Sequence, residues 1–169
     1  NPARVVNPAA YGQPQDFPQT EIYQGNFDVQ RELSSGVVLS LAYVGSGDVN
    51  LRGQMDINAP RPGAGAAPLR RPFPAFGAIN TLSSFAHSSY HSLQTKLERR
   101  FSNGFSLLSA YTWSHAIDNS TDGEELPNPG VVPQNQFNTN AEKASSSFDI
   151  KHRFVTSFVY DLPFGRADG

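Results

Sequence analysis

The sequence predicts an all-β chain, a curved antiparallel meander of about five long strands with long irregular links, as a segment of a transmembrane β-barrel would have. Three observations lead there. Five segments alternate apolar and polar side chains with period two, which in a half-buried strand sends alternate residues to opposite faces. Tight and long connections alternate strictly between those segments. No run approaches eighteen consecutive apolar residues, so a spanning helix is excluded and strands are the only membrane-crossing option.

The first predicted strand, Glu21–Leu33, carries Tyr23, Phe27, Val29 and Leu33 on one face and Gln24, Asn26, Asp28, Gln30 and Glu32 on the other. The second, Val37–Gly45, sets Val37, Leu39, Leu41 and Tyr43 against Ser40 and Ala42, with Val38 and Val44 weakening the contrast. The third, Tyr90–Phe101, sets His91, Leu93, Thr95, Leu97 and Phe101 against Tyr90, Ser92, Gln94, Lys96, Glu98 and Arg100; Arg99 is the charge out of place. The fourth, Phe105–Ala116, sets Phe105, Leu107, Tyr111 and Trp113 against Ser106, Ala110, Thr112 and Ser114, with Leu108 as the exception. The fifth, Phe148–Leu162, sets Phe148, Ile150, Phe154, Phe158, Tyr160 and Leu162 against Asp149, Lys151, Arg153, Ser157 and Asp161.

Between them, Ser34-Ser35-Gly36 and Ser102-Asn103-Gly104 read as hairpin turns, whereas 46–89 and 117–147 are long polar links. Membrane barrels show this asymmetry, with tight turns on the periplasmic side and long loops outside. Residues 1–18 then form an irregular segment or preceding loop, 19–165 the barrel segment, and 166–169 the start of a periplasmic turn. With that direction set, Tyr23, Tyr43, Tyr111 and Trp113 fall near the outer ends of strands. Phe101, Phe105, Phe158 and Tyr160 fall near the periplasmic ends, giving two partial aromatic girdles at the lipid interfaces. The Pro- and Gly-rich stretch Ala59–Ala78 is expected to be extended and irregular, without a regular helix.

Composition narrows the function classes. With 13 Lys+Arg against 15 Asp+Glu in 169 residues, no basic surface argues for nucleic acid. The absence of cysteine excludes disulfides and thiolate metal sites. The chain opens on Asn1 without a signal-peptide pattern and stops just past an apparent strand, so it reads as a piece of a longer protein.

The segments YHSLQTKLERRFSNGFSLLSAYTWSHAIDNS (Tyr90–Ser120) and FDIKHRFVTSFVYDLPFG (Phe148–Gly165) closely resemble paired barrel strands of TonB-dependent receptors, particularly their Oar-like branch. NFDVQRELSSGVVLSLAYVGSGDVNL (Asn26–Leu51), DINAPRPG (Asp56–Gly63) and RRPFPAFGAI (Arg70–Ile79) resemble the preceding strand pair and its outer loop. The resemblance implies a bacterial outer-membrane receptor of roughly twenty-two strands, plugged by an N-terminal domain and driven by the TonB complex. Implied partners are outer-membrane lipid, the remaining strands and plug of the parent protein, and TonB acting through that parent. A soluble β-sandwich for binding or adhesion, and a non-transport surface barrel, are the rival readings.

Candidate chemistry is sparse: no catalytic residue, cofactor site or metal site is predicted, and no enzymatic activity. His87 and His91 have the spacing of a helical zinc pair, but in a strand four residues separate them by roughly 13 Å, too far to share an ion. Asp118-Asn119-Ser120-Thr121-Asp122-Gly123 starts like a calcium loop, yet position twelve is Pro129; Glu124 and Glu125 could ligate only in another geometry. Asn119-Ser120-Thr121 is also a glycosylation triplet, without meaning in a bacterial outer membrane. On the barrel reading Gln94, Lys96, Glu98, Arg100, Asp149, Lys151 and Arg153 line the lumen, where opposite charges on neighbouring strands stabilise pairing by roughly 0.2–1 kcal/mol.

Overall fold

A computed structural model describes residues 7–120 and 132–164. They form one sheet of seven strands: β1 (Ala10–Gly12), β2 (Glu21–Ser34), β3 (Val37–Asp56), β4 (Ile79–Ser102), β5 (Phe105–Asp118), β6 (Ala144–Ser145) and β7 (His152–Tyr160). The long strands follow one another in sequential order as an antiparallel meander, with β6 and β7 both paired to β5 and the short β1 running parallel to the start of β4. No α-helix occurs among the described residues; two 3₁₀ turns, Ala67–Arg70 and Thr139–Glu142, sit in the long links.

Two-residue turns close both hairpins. At Asn103-Gly104 both residues have positive φ (50° and 73°), the mirror-image turn whose twist matches that of paired strands. At Ser35-Gly36 only Gly36 does (φ 74°).

Several boundaries differ from the sequence expectation, β5 for instance ending at Asp118 and not Ala116. β3 runs eleven residues past Gly45, and β4 begins eleven residues before Tyr90. The added part of β3 does alternate, with Val49, Leu51 and Met55 against Asp48, Asn50, Arg52, Gln54 and Asp56, but interleaved glycines hide the period. The added part of β4 is serine-rich, with low local strand preference, and forms because it pairs with a neighbour. β7 starts at His152 instead of Phe148 and ends at Tyr160, because residues 149–151 are held to β5 by irregular bonds described below. Within the expected irregular segment, Ala10–Gly12 forms a ladder with Ile79–Thr81.

The chain divides into two compact units. The first comprises Asn1–Ile22, Gly47–Ser88 and Ile117–Ser147; the second comprises Tyr23–Ser46, Ser89–Ala116 and Phe148–Gly169.

The first unit is organised around polar groups. Asn58 is fully buried, and its Nδ2 donates to the carbonyls of Phe73 (3.0 Å), Phe76 (3.3 Å) and Gly77 (2.7 Å), while its Oδ1 accepts the Phe73 N–H (2.7 Å). Asp56 Oδ1 accepts the N–H groups of Asn58 and Ile79, and Arg71 donates to the carbonyls of Asn58 and Gly77. The Pro/Gly-rich link, which has no regular period, thus gets its fold from one asparagine satisfying backbone groups that helix or strand would otherwise pair. Elsewhere in this unit the Phe85 ring covers Gly53, where a Cβ would come within 2.6 Å of it.

The second unit is a sheet without an apolar interior. Among the described residues of the whole chain the one buried hydrophobic side chain is Ala86, whereas Phe27, Leu41, Leu93, Trp113, Phe154 and Phe158 are all exposed.

Candidate functional site

The candidate site is the two-faced wall of the second unit. Its facing is set by pairing: β5 and β7 place Phe105 opposite Tyr160, Leu107 opposite Phe158, Tyr111 opposite Phe154 and Trp113 opposite His152 on one face. Ser106–Val159, Leu108–Ser157, Ala110–Val155 and Thr112–Arg153 pair on the other. Opposed residues in an antiparallel ladder share a face, so each strand has one aromatic face and one small or polar face.

The polar face is continuous over four strands. A shallow hollow of about 220 Å³ is lined by Asp28 and Gln30 of β2, Ser40 and Ala42 of β3, Gln94 and Lys96 of β4, and Ala110 and Thr112 of β5. These are alternate residues assigned to one face from sequence; Thr95 and Tyr111, assigned to the other face, also border the hollow. A second hollow is lined by Lys96, Glu98 and Arg100 together with Ser106, Leu108, Ser157 and Val159. Lys96 Nζ and Glu98 Oε2 form an exposed ion pair at 3.3 Å, which solvent screening makes a weak contribution. Val155 and Val159, left unassigned by the sequence pattern, share this face with Arg153.

Asp149 and Lys151 precede β7 and so depart from their predicted place on a strand. The Asp149 side chain is only 4% exposed. Its Oδ1 accepts the Ala116 N–H (2.9 Å) and its Oδ2 is 2.9 Å from His115 Nδ1. The Ala116 N–H holds the carboxyl below its ordinary range; burial opposes this and His115 assists it. Ser114 completes the clamp, donating from its backbone to the Lys151 carbonyl (3.0 Å) and from its hydroxyl to that of Ile150 (2.7 Å).

The aromatic face has ordered ends. Beside the Asn103-Gly104 turn, Phe105 and Tyr160 meet edge to face at 6.3 Å, and the Arg99 guanidinium lies 5.2 Å from the Phe105 ring centre. That contact explains how a charge is accommodated on this face. Phe101, at the end of β4, and Phe158 are exposed near the same end. At the other end of this face Tyr111 stacks on His152 and Tyr43 on His91, each pair 6.2 Å apart and sharing a hydrogen bond of 2.8 and 2.7 Å; because β3 and β5 run on to Asp56 and Asp118, Tyr43 and Tyr111 lie mid-strand and not near the outer strand ends as expected from the sequence. Trp113 is 53% exposed beside the first pair, and Tyr23 is exposed on β2. The sequence contains these tyrosines and histidines but no signal of their pairing, which depends on cross-strand register.

From Phe105 to Trp113 is roughly 26 Å along the strand, or about 20 Å along the membrane normal at a 40° tilt, comparable with the apolar band of about 25 Å in membrane barrels. Aromatic rings at both ends of an exposed apolar band, backed by a polar face, suit a wall between lipid and water.

Among the described residues no group of three His, Asp or Glu side chains gathers. His87 and His91 both lie in extended β4. Asn119 is spent on structure, accepting the His87 N–H with its Oδ1 (2.8 Å). Of the acidic loop, Asp118, Asn119 and Ser120 are described; the remaining candidate ligands and Pro129 lie outside the described residues.

Residues 1–168 match a family model described as an outer membrane beta barrel domain. No curated protein and no solved structure matches the chain.

Proposed function

Because the chain belongs to the outer membrane β-barrel domain family, and so lies in the bacterial outer membrane, we propose that it forms wall strands of a TonB-dependent receptor of the Oar-like branch. The parent protein takes up a ligand by energised transport, and this segment contributes no catalysis and needs no cofactor. Its partners are outer-membrane lipid, the other strands and plug of the parent, and the TonB complex through that parent; nucleic acid is not among them.

The observation that carries the wall role is the inverted distribution of side chains, with large apolar groups exposed and polar ones buried. A soluble sandwich would need a second sheet over the aromatic face, and the described strands form one sheet. Support for the receptor branch comes from the resemblance of Tyr90–Ser120 and Phe148–Gly165, and from two-residue turns alternating with long links.

The test is uptake across the outer membrane of cells that express the parent gene, using a labelled panel of iron chelates and oligosaccharides. Uptake of one compound that disappears on deleting either the parent gene or TonB supports the proposal. Uptake that persists without TonB, or cell adhesion as the one phenotype lost with the gene, rejects it.

A further inference from the structure

The first unit contains a hollow of about 500 Å³, within the roughly 300–1,000 Å³ range of small-molecule sites. One wall is the segment from Asp56 to Pro62, including Pro60; the other is the segment from Val132 to Phe137. Both walls are anchored before any ligand arrives. Asn58 and Arg71 fix the first, as described above. In the second, Asn135 takes the Glu142 carboxylate on its N–H (3.1 Å), while its Oδ1 accepts the Phe137 N–H (3.1 Å) and its carbonyl the Asn138 N–H (3.0 Å).

The chemistry of the lining selects a class of ligand. Among the described residues its single charged side chain is Asp56, which already accepts two backbone N–H groups and lies 3.6 Å from Arg71, so it offers no free charge to a cation. No lysine or arginine among the described residues lines the hollow to attract an anion. What remains are three successive carboxamides, Gln134, Asn135 and Gln136, followed by the exposed ring of Phe137. Gln136 Oε1 is buried without a hydrogen-bond partner among the described residues, a deficit that a ligand hydroxyl can remove once the amide turns. Carboxamides donate and accept in equal measure, as hydroxyl groups require, and an aromatic ring offers a flat surface to the C–H face of a pyranose.

We propose that this hollow binds a neutral saccharide, with the amides of Gln134 and Gln136 bonding its hydroxyls and Phe137 packing against one sugar ring. The assignment rests on the outer-membrane barrel, not on energised transport, so binding is read separately from uptake.

The experiment is calorimetric titration of the purified protein, folded in amine-oxide micelles because glycoside detergents would compete, with neutral gluco-, xylo-, galacto- and chito-oligosaccharides. Saturable binding of at least one is expected. Phe137→Ala and Gln134→Ala each weaken it on the order of tenfold or more, while Phe137→Trp retains it. Folding of every variant is checked by heat-modifiable gel migration. Failure of all the saccharides to bind at millimolar concentration, or binding untouched by both alanine variants, overturns the proposal; so does binding confined to a proline-rich peptide or to charged ligands. Saccharide binding without TonB-dependent uptake would reject the transport reading and leave this one standing.

Discussion

Replacing Asn58 with alanine removes the side chain around which the link between β3 and β4 is folded. Four hydrogen bonds vanish, but their consequences differ. The Gly77 carbonyl retains Arg71 as a donor, and the Phe73 carbonyl retains the Phe76 N–H. The Phe73 N–H and the Phe76 carbonyl lose the partner that Asn58 supplied. Two orphaned backbone groups at about 1–3 kcal/mol each give about 2–6 kcal/mol for the link, and because both bonds are only part-buried the loss falls in the lower half, about 3 kcal/mol, before any cavity term. The assay is trypsin cleavage of the protein in lipid vesicles. Arg61 and Arg71 precede proline, so Arg70–Arg71 is the one bond that trypsin can cut between residues 57 and 78. When opening and closing are fast, cleavage follows the population of the open link, and about 3 kcal/mol raises it on the order of a hundredfold. Asn58→Asp, which still accepts the Phe73 N–H but donates nothing, falls close to alanine. An unchanged cleavage rate in Asn58→Ala would refute the reasoning that this side chain organises the link.

Other predictions address the wall. Leu107→Arg, opposite Phe158 on the aromatic face and between the interface and the midplane, costs about 1–2 kcal/mol in urea unfolding from vesicles, whereas Ala110→Arg on the polar face is tolerated. Trp113, the single tryptophan of the chain, is quenched by shallow brominated lipids after any tryptophans elsewhere in the parent are replaced; no quenching at any depth would reject the lipid face. Asp149, held below the ordinary carboxylate range by the Ala116 N–H, stabilises the start of β7 above that range, and the contribution is lost as pH falls through the lowered value. Asp149→Ala therefore flattens the acid limb of a pH–stability curve and leaves the limb above neutrality alone. Gly104→Ala, forced to keep φ near 73°, destabilises the second hairpin by about 1 kcal/mol, read as a lower urea midpoint.

Much of the wall is legible in the sequence because a strand's two faces follow parity alone. Asp28, Gln30, Gln94, Lys96 and Thr112 were separable from their apolar neighbours by counting, and the structure gathers them around one hollow. Asn103-Gly104 is likewise readable, since few other residue pairs accept two successive positive φ values. The added half of β4 was not readable: its serines have little strand preference of their own, and pairing decides their conformation. Nor was the role of Asp149, whose carboxylate stands in for a strand partner at Ala116.

By itself, then, the sequence determined the elements whose signal lies in short-range order: the alternation of β2 and β5, and the tight turns. Tertiary structure alone decided everything that needs residues distant in the chain to meet. The Tyr43–His91 and Tyr111–His152 stacks depend on register, Phe85 over Gly53 on the pairing of extended strands, and the loop fold on Asn58 reaching Phe73, Phe76 and Gly77. Periodicity is a local property of a strand and survives in one dimension. Hydrogen-bond partnership across many residues leaves no period, so a loop built on a single buried asparagine looks irregular until its contacts are seen.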